Sequence, residues 1–198
     1  ELINELDRYR ISSIEPNLLS EKILNIISCS KKAMPHLHIP LQSGSDKILK
    51  LMKRRYSSSD YYKMVKKVKK YLPNSCIGVD VIVGFPDESN EDFNQTYNFL
   101  NDLDISYLHV FSYSERKNTG AENFSPKVPS NVIALRRNKL RLLSKNKYNQ
   151  FIQNNIDHSL NILFEKYDDG LLSGWTDNYI RVKVKGNKKF INTVKRIK

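Results

Sequence analysis

The sequence alternates short apolar stretches with amphipathic ones four times between residues 9 and 155. Strand-like stretches at 9–14, 37–41, 77–83 and 105–113 are each followed by apolar residues at helical spacing. Because strands that alternate with helices pair in parallel through right-handed crossovers, this order predicts an α/β fold with a parallel sheet. The run 77–83, apolar apart from one glycine and one aspartate, is typical of a parallel strand covered on both faces.

The second strand-to-helix corner, at residues 35–52, has the form of a ligand-binding unit. The apolar run 37–41 opens into the polar turn 42–45, and Ser45 is the expected N-cap of a short helix. Backbone N–H groups at such a turn bind anionic or polar ligand groups. Taken alone, the stretch is equally consistent with an ordinary corner of an α/β fold.

Other helices are predicted from caps and apolar stripes. Asn17 is the expected cap of the first helix, Ser58 or Ser59 begins another, and Ser89 with Asp92 has capping-box spacing. A long basic helix is expected at about 131–155. Side chains expected to be buried are Leu18, Leu19, Ile23, Ile26 and Ile27 in the first helix, and Leu135, Leu140, Leu143, Tyr148, Phe151 and Ile152 in the long one. Those expected to face solvent on the long helix are Arg136, Arg137, Lys139, Arg141, Lys145 and Lys147.

The pattern changes after about residue 158. Short apolar runs at 160–166, 170–175 and 179–185 are joined by turn residues, which is typical of antiparallel strands. The segment 190–197 is expected to add one more strand. The sequence therefore predicts two units, an α/β unit at 1–156 and a small, incomplete β module at 157–198.

The composition indicates a polyanionic partner. The net charge is +12, from 33 Lys and Arg against 21 Asp and Glu, and this favours nucleic acid. The alternative is that a Lys-, Asn- and Ile-rich chain reflects an AT-rich genome. No apolar run approaches the ~20 residues of a membrane span, and the start is charged, unlike a signal peptide. Since the chain does not begin with Met, we expect part of a longer cytoplasmic protein with reduced thiols at Cys29 and Cys76.

Polar residues follow four successive strands at their carboxyl ends. They lie at 12–15, at 42–45, at Asp80 with the turn 84–88, and in the loop from 114. The carboxyl ends of parallel strands share one edge, and ligands bind at that edge. Ordinary turn chemistry explains any one of these corners, but four in succession predict a ligand site.

Several of these segments closely resemble the radical S-adenosylmethionine methylthiotransferases. Within that family, the sequence resembles most the branch of tRNA N6-threonylcarbamoyladenosine methylthiotransferases. The resemblance runs from about residue 10 to 185. The segments that carry it are RISSIEP (10–16), HLHIPLQSGSDKILKLMKRRY (36–56), DVIVGFPDESNEDF (80–93), HVFSYSERKNTGAEN (109–123) and LFEKYDDGLLSGWTDNYIRVKV (163–184).

The resemblance implies a TIM-like radical SAM barrel of six βα units, of which the last four are expected here, followed by a partial RNA-binding TRAM module. It implies S-adenosylmethionine, two 4Fe–4S clusters, a reductant for the cluster and a tRNA substrate. The family's cysteine sets are absent from this sequence, and Cys29 and Cys76 match neither. We therefore expect no catalytic residue and no metal ligand in this chain, and no activity from it alone.

The resemblance also implies a set of cofactor-facing residues. Gln42, Ser43 and Gly44 match the family's contact with the ribose and amino-acid part, and Val110 to Tyr113 match the backbone edge that hydrogen-bonds adenine. Asp80, Ile82, Gly84 and Glu88 match the fifth-strand motif, in which glycine allows close approach of the adenosine. Ser13 and Glu15 are expected to face the same edge. This chain has Asp87 where the family usually has glycine, which bears on the shape of the turn.

Other polar residues have two interpretations each. Arg116 is expected either to meet a carboxylate or phosphate or to be an ordinary surface arginine. His36, His38 and His109 are expected to pack or hydrogen-bond rather than bind metal. Trp175 and Tyr179 fit either base stacking or packing. The basic face Arg181, Lys183 and Lys185 fits either phosphate contact or solvation.

Two functions of different class follow. The first is a part of a tRNA methylthiotransferase that supplies the cofactor and substrate wall. The second is a non-catalytic RNA-binding fragment. Within the first, branches acting on isopentenyladenosine in tRNA or on a ribosomal protein are alternatives. The first strand is expected to present an unpaired edge, and such edges favour aggregation.

Overall fold

The first unit contains a four-stranded parallel sheet, seen in a computed structural model that describes residues 5–198. The strands, in spatial and chain order, are β1 (Tyr9–Ile11), β2 (Ala33–His38), β3 (Cys76–Val83) and β4 (Tyr107–Ser112). All neighbouring pairs are parallel, which confirms the predicted α/β fold. Since all four strands run in the same direction, their carboxyl ends meet at one edge, which we call the rim. β1 borders the sheet, as predicted.

Five helices connect the strands and cover one face of the sheet. They are α1 (Glu21–Cys29), α2 (Asp46–Leu51), α3 (Ser58–Tyr71), α4 (Asn90–Asp102) and α5 (Ser130–Gln153). Serines 20, 45, 57 and 89 cap the first four, and α3 and α4 begin with capping boxes. The predicted caps Ser45 and Ser89 are therefore confirmed. No helix in the described part of the chain is long and apolar enough to cross a membrane.

The prediction for the first helix was wrong. Asn17 lies inside a short 3-10 turn, Pro16–Leu18, and the α-helix begins only after Ser20, whose side chain accepts a hydrogen bond from the Ile23 N–H. Leu18 therefore lies outside α1, whose buried residues are Leu24 and Ile27, and Leu18 and Ile26 are 59% and 54% exposed. Ser20 prevails as the cap because the proline-initiated turn ends before it.

The prediction for α5 also needs correction at two neighbouring positions. Leu135, expected inside, is 69% exposed, and Arg136, expected outside, is 5% exposed. The reason is a buried carboxylate, Glu88, which lies against this turn of α5 and requires a cationic partner.

The core lies between the helices and one face of the sheet. Alternate residues of β3, among them Val79, Val81 and Val83, pack there against α3, α4 and α5. The opposite face, which we call the open face, carries the ring side chains His36, His38, Tyr107, His109 and Phe111 together with Asp80.

The second unit is a four-stranded antiparallel sheet. Its spatial order is β7 (Arg181–Lys185), β6 (Leu171–Thr176), β5 (Leu160–Asp168) and β8 (Val194–Ile197). The four predicted strands are all present. A small core of Ile162, Phe164 and Leu172 holds this β module together.

The β module packs on the open face at the amino end of the parallel sheet. The Tyr179 ring stacks between His36 and Trp175, at centroid distances of 4.0 and 4.5 Å. The Arg10 guanidinium lies 5.0 Å from the centre of the Tyr179 ring and donates to the carbonyls of Thr176 and Asp177. The turn between β6 and β7 therefore covers the amino end of the sheet and leaves the rim to other elements.

Candidate functional site

A cavity of about 730 Å³ lies at the rim, beyond the ends of β3 and β4. This volume lies within the range of small-molecule sites. Among the predicted site residues, Ile82, Tyr113 and Arg116 line it. The full lining is Leu51, Met52, Lys53, Arg54, Ile82, Phe85, Ser112, Tyr113, Ser114, Arg116, Thr119, Gly120, Ala121 and Phe124.

The cavity combines an apolar wall with a cationic border. The Phe85 ring lies edge-on to Tyr113 and to Phe124, at centroid distances of 5.1 and 6.2 Å. Three lining residues are cationic, namely Lys53, Arg54 and Arg116, and none of the described lining residues is acidic. Arg54 is paired with Glu15 at 3.0 Å, which leaves the charges of Lys53 and Arg116, within the described residues, for an anionic group.

The corner 42–45 packs against α4 and does not line the rim cavity. The Thr96 hydroxyl accepts from the Gly44 N–H at 3.0 Å and lies 3.1 Å from the Ser43 hydroxyl. A Cβ on Gly44 would lie 2.8 Å from the Thr96 Cα, so only glycine allows this approach. Ser43 is fully buried and Gln42 is 8% exposed. Their contact with a cofactor therefore stays a prediction.

Hydrogen bonds also hold the start of α2 against α4. The Ser45 hydroxyl donates to Asp92 at 2.7 Å, and the Lys47 ammonium lies 3.2 Å from the same carboxylate. Burial acts to raise the pKa of Asp92, but hydrogen bonds from Ser89, Ser45 and Lys47 outweigh it, so the pKa is lowered. An ionised Asp92 fixes the corner.

The turn after β3 is organised by a buried ion pair. The Gly84 N–H donates to the Glu88 carboxylate at 2.7 Å, and the Arg136 guanidinium donates to it at 2.6 Å. Burial raises the pKa of Glu88, although the Gly84 N–H and Arg136 act in the opposite direction. Gly84 has a φ of +79°, and a Cβ there would collide with the Ile133 side chain. Glu88 and Gly84 thus shape the wall behind the cavity.

Asp87 adopts the backbone conformation that glycine favours. Its φ is +65°, within the left-handed region. Lys47 compensates from outside the turn, since its ammonium donates to the Asp87 carbonyl at 2.8 Å and lies 3.1 Å from the carboxylate. The turn therefore holds a backbone conformation typical of glycine with an aspartate at this position.

Asp80 lies below the cavity on the open face. Its carboxylate lies 2.7 Å from His38 Nε2 and 3.7 Å from His109 Nδ1. The His36 ring nitrogen lies 2.9 Å from the Tyr107 hydroxyl, so His36 and His38 both hydrogen-bond, as predicted. The ligand atoms of His38, Asp80 and His109 lie within 4.8 Å of one another, a spacing that would also suit a divalent cation. The expectation of no metal ligand stays a prediction.

The other predicted residues lie around the rim or away from it. Val110 packs towards the core, and its strand β4 borders the sheet, which leaves one backbone edge unused by a neighbouring strand. Ser13 is exposed at a φ of +51°. Arg181 and Lys183 lie on β7 and are exposed, far along the chain from the rim.

Three contributors to the rim were missed from the sequence. Phe85 lines the cavity, Thr96 holds the 42–45 corner, and Arg136 pairs with Glu88. Phe85 lies in the segment 80–93 that carries the family resemblance, directly after the predicted site residue Gly84, so the sequence did indicate it. Arg136 carried none, because it sits among other basic residues of α5, of which Lys139, Arg141 and Lys145 are exposed.

The described residues do not fit an iron–sulfur cluster. Cys29 is exposed on α1, whereas Cys76 is buried at the start of β3. Burial raises the pKa of Cys76 to about 12, so its thiol stays protonated, and a cluster requires several thiolates. The rim cavity does fit a nucleoside-sized ligand with an anionic group, by volume, apolar wall and cationic border.

A comparison with family models matches residues 2–100 to the radical SAM superfamily. Among curated proteins, the chain is similar to the threonylcarbamoyladenosine tRNA methylthiotransferase MtaB of Bacillus subtilis (strain 168), at 36% identity over 100% of this chain and 47% of the relative. It is 39% identical to MtaB of Aquifex aeolicus (strain VF5), over 94% of this chain and 44% of that protein. The tRNA-2-methylthio-N(6)-dimethylallyladenosine synthase of Endomicrobium trichonymphae is 34% identical, over 96% of this chain and 45% of that protein.

Solved structures share the fold at low sequence identity. The archaeal Methanocaldococcus infernus Elp3 with an N-terminal deletion has a TM-score of 0.52 at 14% identity, covering 96% of this chain and 62% of that one. Coproporphyrinogen III oxidase from Escherichia coli, a radical SAM enzyme, has a TM-score of 0.50 at 17% identity, and the match covers 73% of this chain and 32% of that one. The chain spans about half the length of the curated relatives it matches.

Proposed function

The chain belongs to the radical SAM superfamily, and we propose that it forms the cofactor- and substrate-facing part of an enzyme that adds a methylthio group to threonylcarbamoyladenosine beside the tRNA anticodon. The observation that carries this proposal is the rim cavity, which lies among segments shared with proteins named for that activity. Residues 1–156 would be the part of the barrel, and residues 157–198 a TRAM-like RNA-binding module.

The proposal assigns the cavity to S-adenosylmethionine. Ile82 and Tyr113 would pack against the adenine, and the free backbone edge of β4 would hydrogen-bond it. Arg116 or Lys53 would attract the carboxylate of the amino-acid part. When bound beside a cluster, S-adenosylmethionine supplies a carbon radical. The cysteines of this chain do not fit a cluster, so the chain by itself is expected to bind and orient but not to react.

The same proposal assigns tRNA as the macromolecular substrate. The net charge of +12 and the exposed residues Arg181 and Lys183 on β7 supply phosphate contacts. A reductant for the cluster and a cytoplasmic location belong to the proposal as well.

The test uses the full-length gene product that contains this sequence, reconstituted with iron and sulfide. With S-adenosylmethionine, a reductant and tRNA that carries threonylcarbamoyladenosine, mass spectrometry of the nucleosides is expected to show a methylthio derivative. The matched control is the same tRNA without the threonylcarbamoyl group, which should stay unmodified. Modification of dimethylallyladenosine or of a ribosomal protein instead would overturn the choice of substrate.

A second candidate function is non-catalytic RNA binding, favoured by the two cysteines that do not fit a cluster. Under this alternative the full-length product leaves the tRNA unchanged, yet the chain binds it with an affinity that falls steeply as salt is raised. Modification of the tRNA would reject this alternative, and so would binding that does not respond to salt, or no binding at all.

A further inference from the structure

A second cleft lies where the β module meets α5, at the amino end of β4. Its volume is about 510 Å³. Both units contribute to it, so it exists only because the β module packs on the parallel sheet. Its lining is Tyr107, Arg141, Ser144, Lys145, Tyr148, Trp175, Tyr179 and Arg181.

Four aromatic rings form the walls of this cleft. Trp175 and Tyr179 stack at 4.5 Å with planes 15° apart, whereas Tyr107 and Tyr148 meet at 89° with centroids 6.4 Å apart. Both faces of the Tyr179 ring are already occupied, by His36 and Trp175, so a flat base would pack against Trp175, Tyr107 and Tyr148. Proteins bind unpaired nucleotides on such aromatic surfaces with little dependence on sequence.

Three cations border the same rings. Arg141 and Lys145 project from α5 and are exposed, and the Arg181 guanidinium lies 5.7 Å from the Trp175 ring centre. None of the lining residues is acidic, and no salt bridge joins these three cations to a carboxylate within residues 5–198. This combination of rings and unpaired cations matches a base with its phosphates, whereas an apolar peptide would leave the cations without partners.

The cleft is separate from the rim cavity. Tyr107 begins β4 and Ser112 ends it, and five residues of strand span about 17 Å. That length corresponds to about five stacked nucleotides at 3.4 Å each. One RNA strand can therefore contact both places, with different nucleotides.

We propose that this cleft binds an unpaired nucleotide of an RNA, with its base against the rings and its phosphates on Arg141, Lys145 and Arg181. The inference rests on the proposed tRNA substrate and adds to it a contact outside the rim cavity. It gives the packing of the β module on the sheet a role in RNA binding, because the α/β unit supplies Tyr107, Tyr148 and the two α5 cations, whereas the β module supplies Trp175, Tyr179 and Arg181.

The test uses the whole 198-residue chain and the fluorescence of Trp175, which is the only tryptophan. Titration with an unstructured six-nucleotide oligoadenylate RNA is expected to quench this fluorescence in a saturable way, since a base that stacks on indole quenches it. The double variant Arg141→Ala/Lys145→Ala is expected to bind at least about tenfold more weakly, since both phosphate contacts are lost. Both residues are exposed, so the fold should persist, and an unchanged circular dichroism spectrum checks this.

The matched control removes the same charge elsewhere. Lys63 and Lys70 are exposed on α3, away from the cleft, and the variant Lys63→Ala/Lys70→Ala should bind within about twofold of the wild type. Equal losses in the two double variants would reduce the effect to net charge and overturn the proposal. Absence of quenching, or quenching only by an apolar peptide, would overturn it too. None of these results depends on whether the full-length protein modifies tRNA, so the two proposals fail separately.

Discussion

The two ends of the parallel sheet are bordered by different kinds of contact. At the carboxyl end, buried polar groups hold the turns in place, with Glu88 bonded to Arg136 and Ser45 bonded to Asp92. At the amino end, stacked rings of His36, Tyr179 and Trp175 bring the β module onto the sheet. The first arrangement leaves a cavity open, whereas the second covers the sheet.

This difference follows from the physical nature of the two sets of contacts. Charged hydrogen bonds are directional, so they fix the backbone of a turn without filling the space in front of it. Stacked rings gain from contact area and exclude water between two units. In barrels of parallel strands, the carboxyl end carries function. The cofactor site that we propose for this molecule lies at that end, in the rim cavity.

The largest expected loss of stability comes from removing the buried ion pair at the carboxyl end of the sheet. Arg136→Ala leaves the carboxylate of Glu88 buried without its cation, which should lower the free energy of unfolding by ~3–5 kcal/mol. Urea unfolding measures this loss. The exposed Arg141→Ala on the same helix is the control, with a change within about 0.5 kcal/mol. The double variant Glu88→Gln/Arg136→Met should recover most of the stability, because no charge then stays buried. A loss in Arg136→Ala no larger than the control would contradict this account.

The next effect tests the amino end by pH. Burial lowers the pKa of His36 to about 4, with the positive charge of Arg10 as a further cause. The unfolded chain therefore binds a proton near pH 6.5 that the folded chain does not, so stability present above pH 6.5 is lost as the pH falls towards 4. The loss should be about 3 kcal/mol. His36→Phe keeps a ring against Tyr179 and should flatten this dependence.

The control for the pH experiment is His158→Gln, since His158 is exposed and should leave the acid dependence unchanged. Urea unfolding at several pH values between 7 and 4 gives both curves. A His36→Phe variant that still loses stability as steeply as the wild type would show that the buried imidazole is not the cause.

A smaller loss of stability is expected at the rim, in the corner 42–45. Gly44→Ala places a Cβ 2.8 Å from the Thr96 Cα, so α4 must shift, at a cost of ~1–3 kcal/mol. Gly120→Ala is the matched control, because its Cβ would meet no atom within 4 Å and its φ is not in the left-handed region. Thermal melts compare the two. Equal melting temperatures would mean that the corner is looser than its hydrogen bonds to Thr96 indicate.

The smallest effect concerns the turn beside the cavity. Asp87→Gly relieves a φ of +65° but removes an exposed ion pair with Lys47, so a net stabilisation below about 1 kcal/mol is expected. Asp169→Gly is the comparison, since Asp169 has a φ of +44° without a salt bridge in the described structure. Its gain should be the larger. A larger gain at Asp87 would mean that the Lys47 pair contributes nothing.

The sequence predicted what local signals determine. The alternation of apolar periods gave the parallel sheet, and the serine caps Ser45 and Ser89 set the starts of α2 and α4. The sequence-based prediction failed where a residue distant in the chain determines whether a side chain is buried. Arg136 is buried because of Glu88, 48 residues earlier, and Gly44 packs on Thr96, 52 residues later. Asn17 failed for a local reason, since Ser20 competes with it and α1 begins after Ser20.

We propose, in short, that the rim cavity binds S-adenosylmethionine and that the cleft at the amino end of the sheet binds RNA. Hydrogen–deuterium exchange of the reconstituted full-length gene product, followed by mass spectrometry, measures both directly. S-adenosylmethionine is expected to slow exchange in peptides covering 82–88 and 110–116 and to leave 172–181 unchanged, whereas oligoadenylate RNA should slow exchange at 172–181. Protection of 172–181 by S-adenosylmethionine, or no protection at the rim, would contradict the claim.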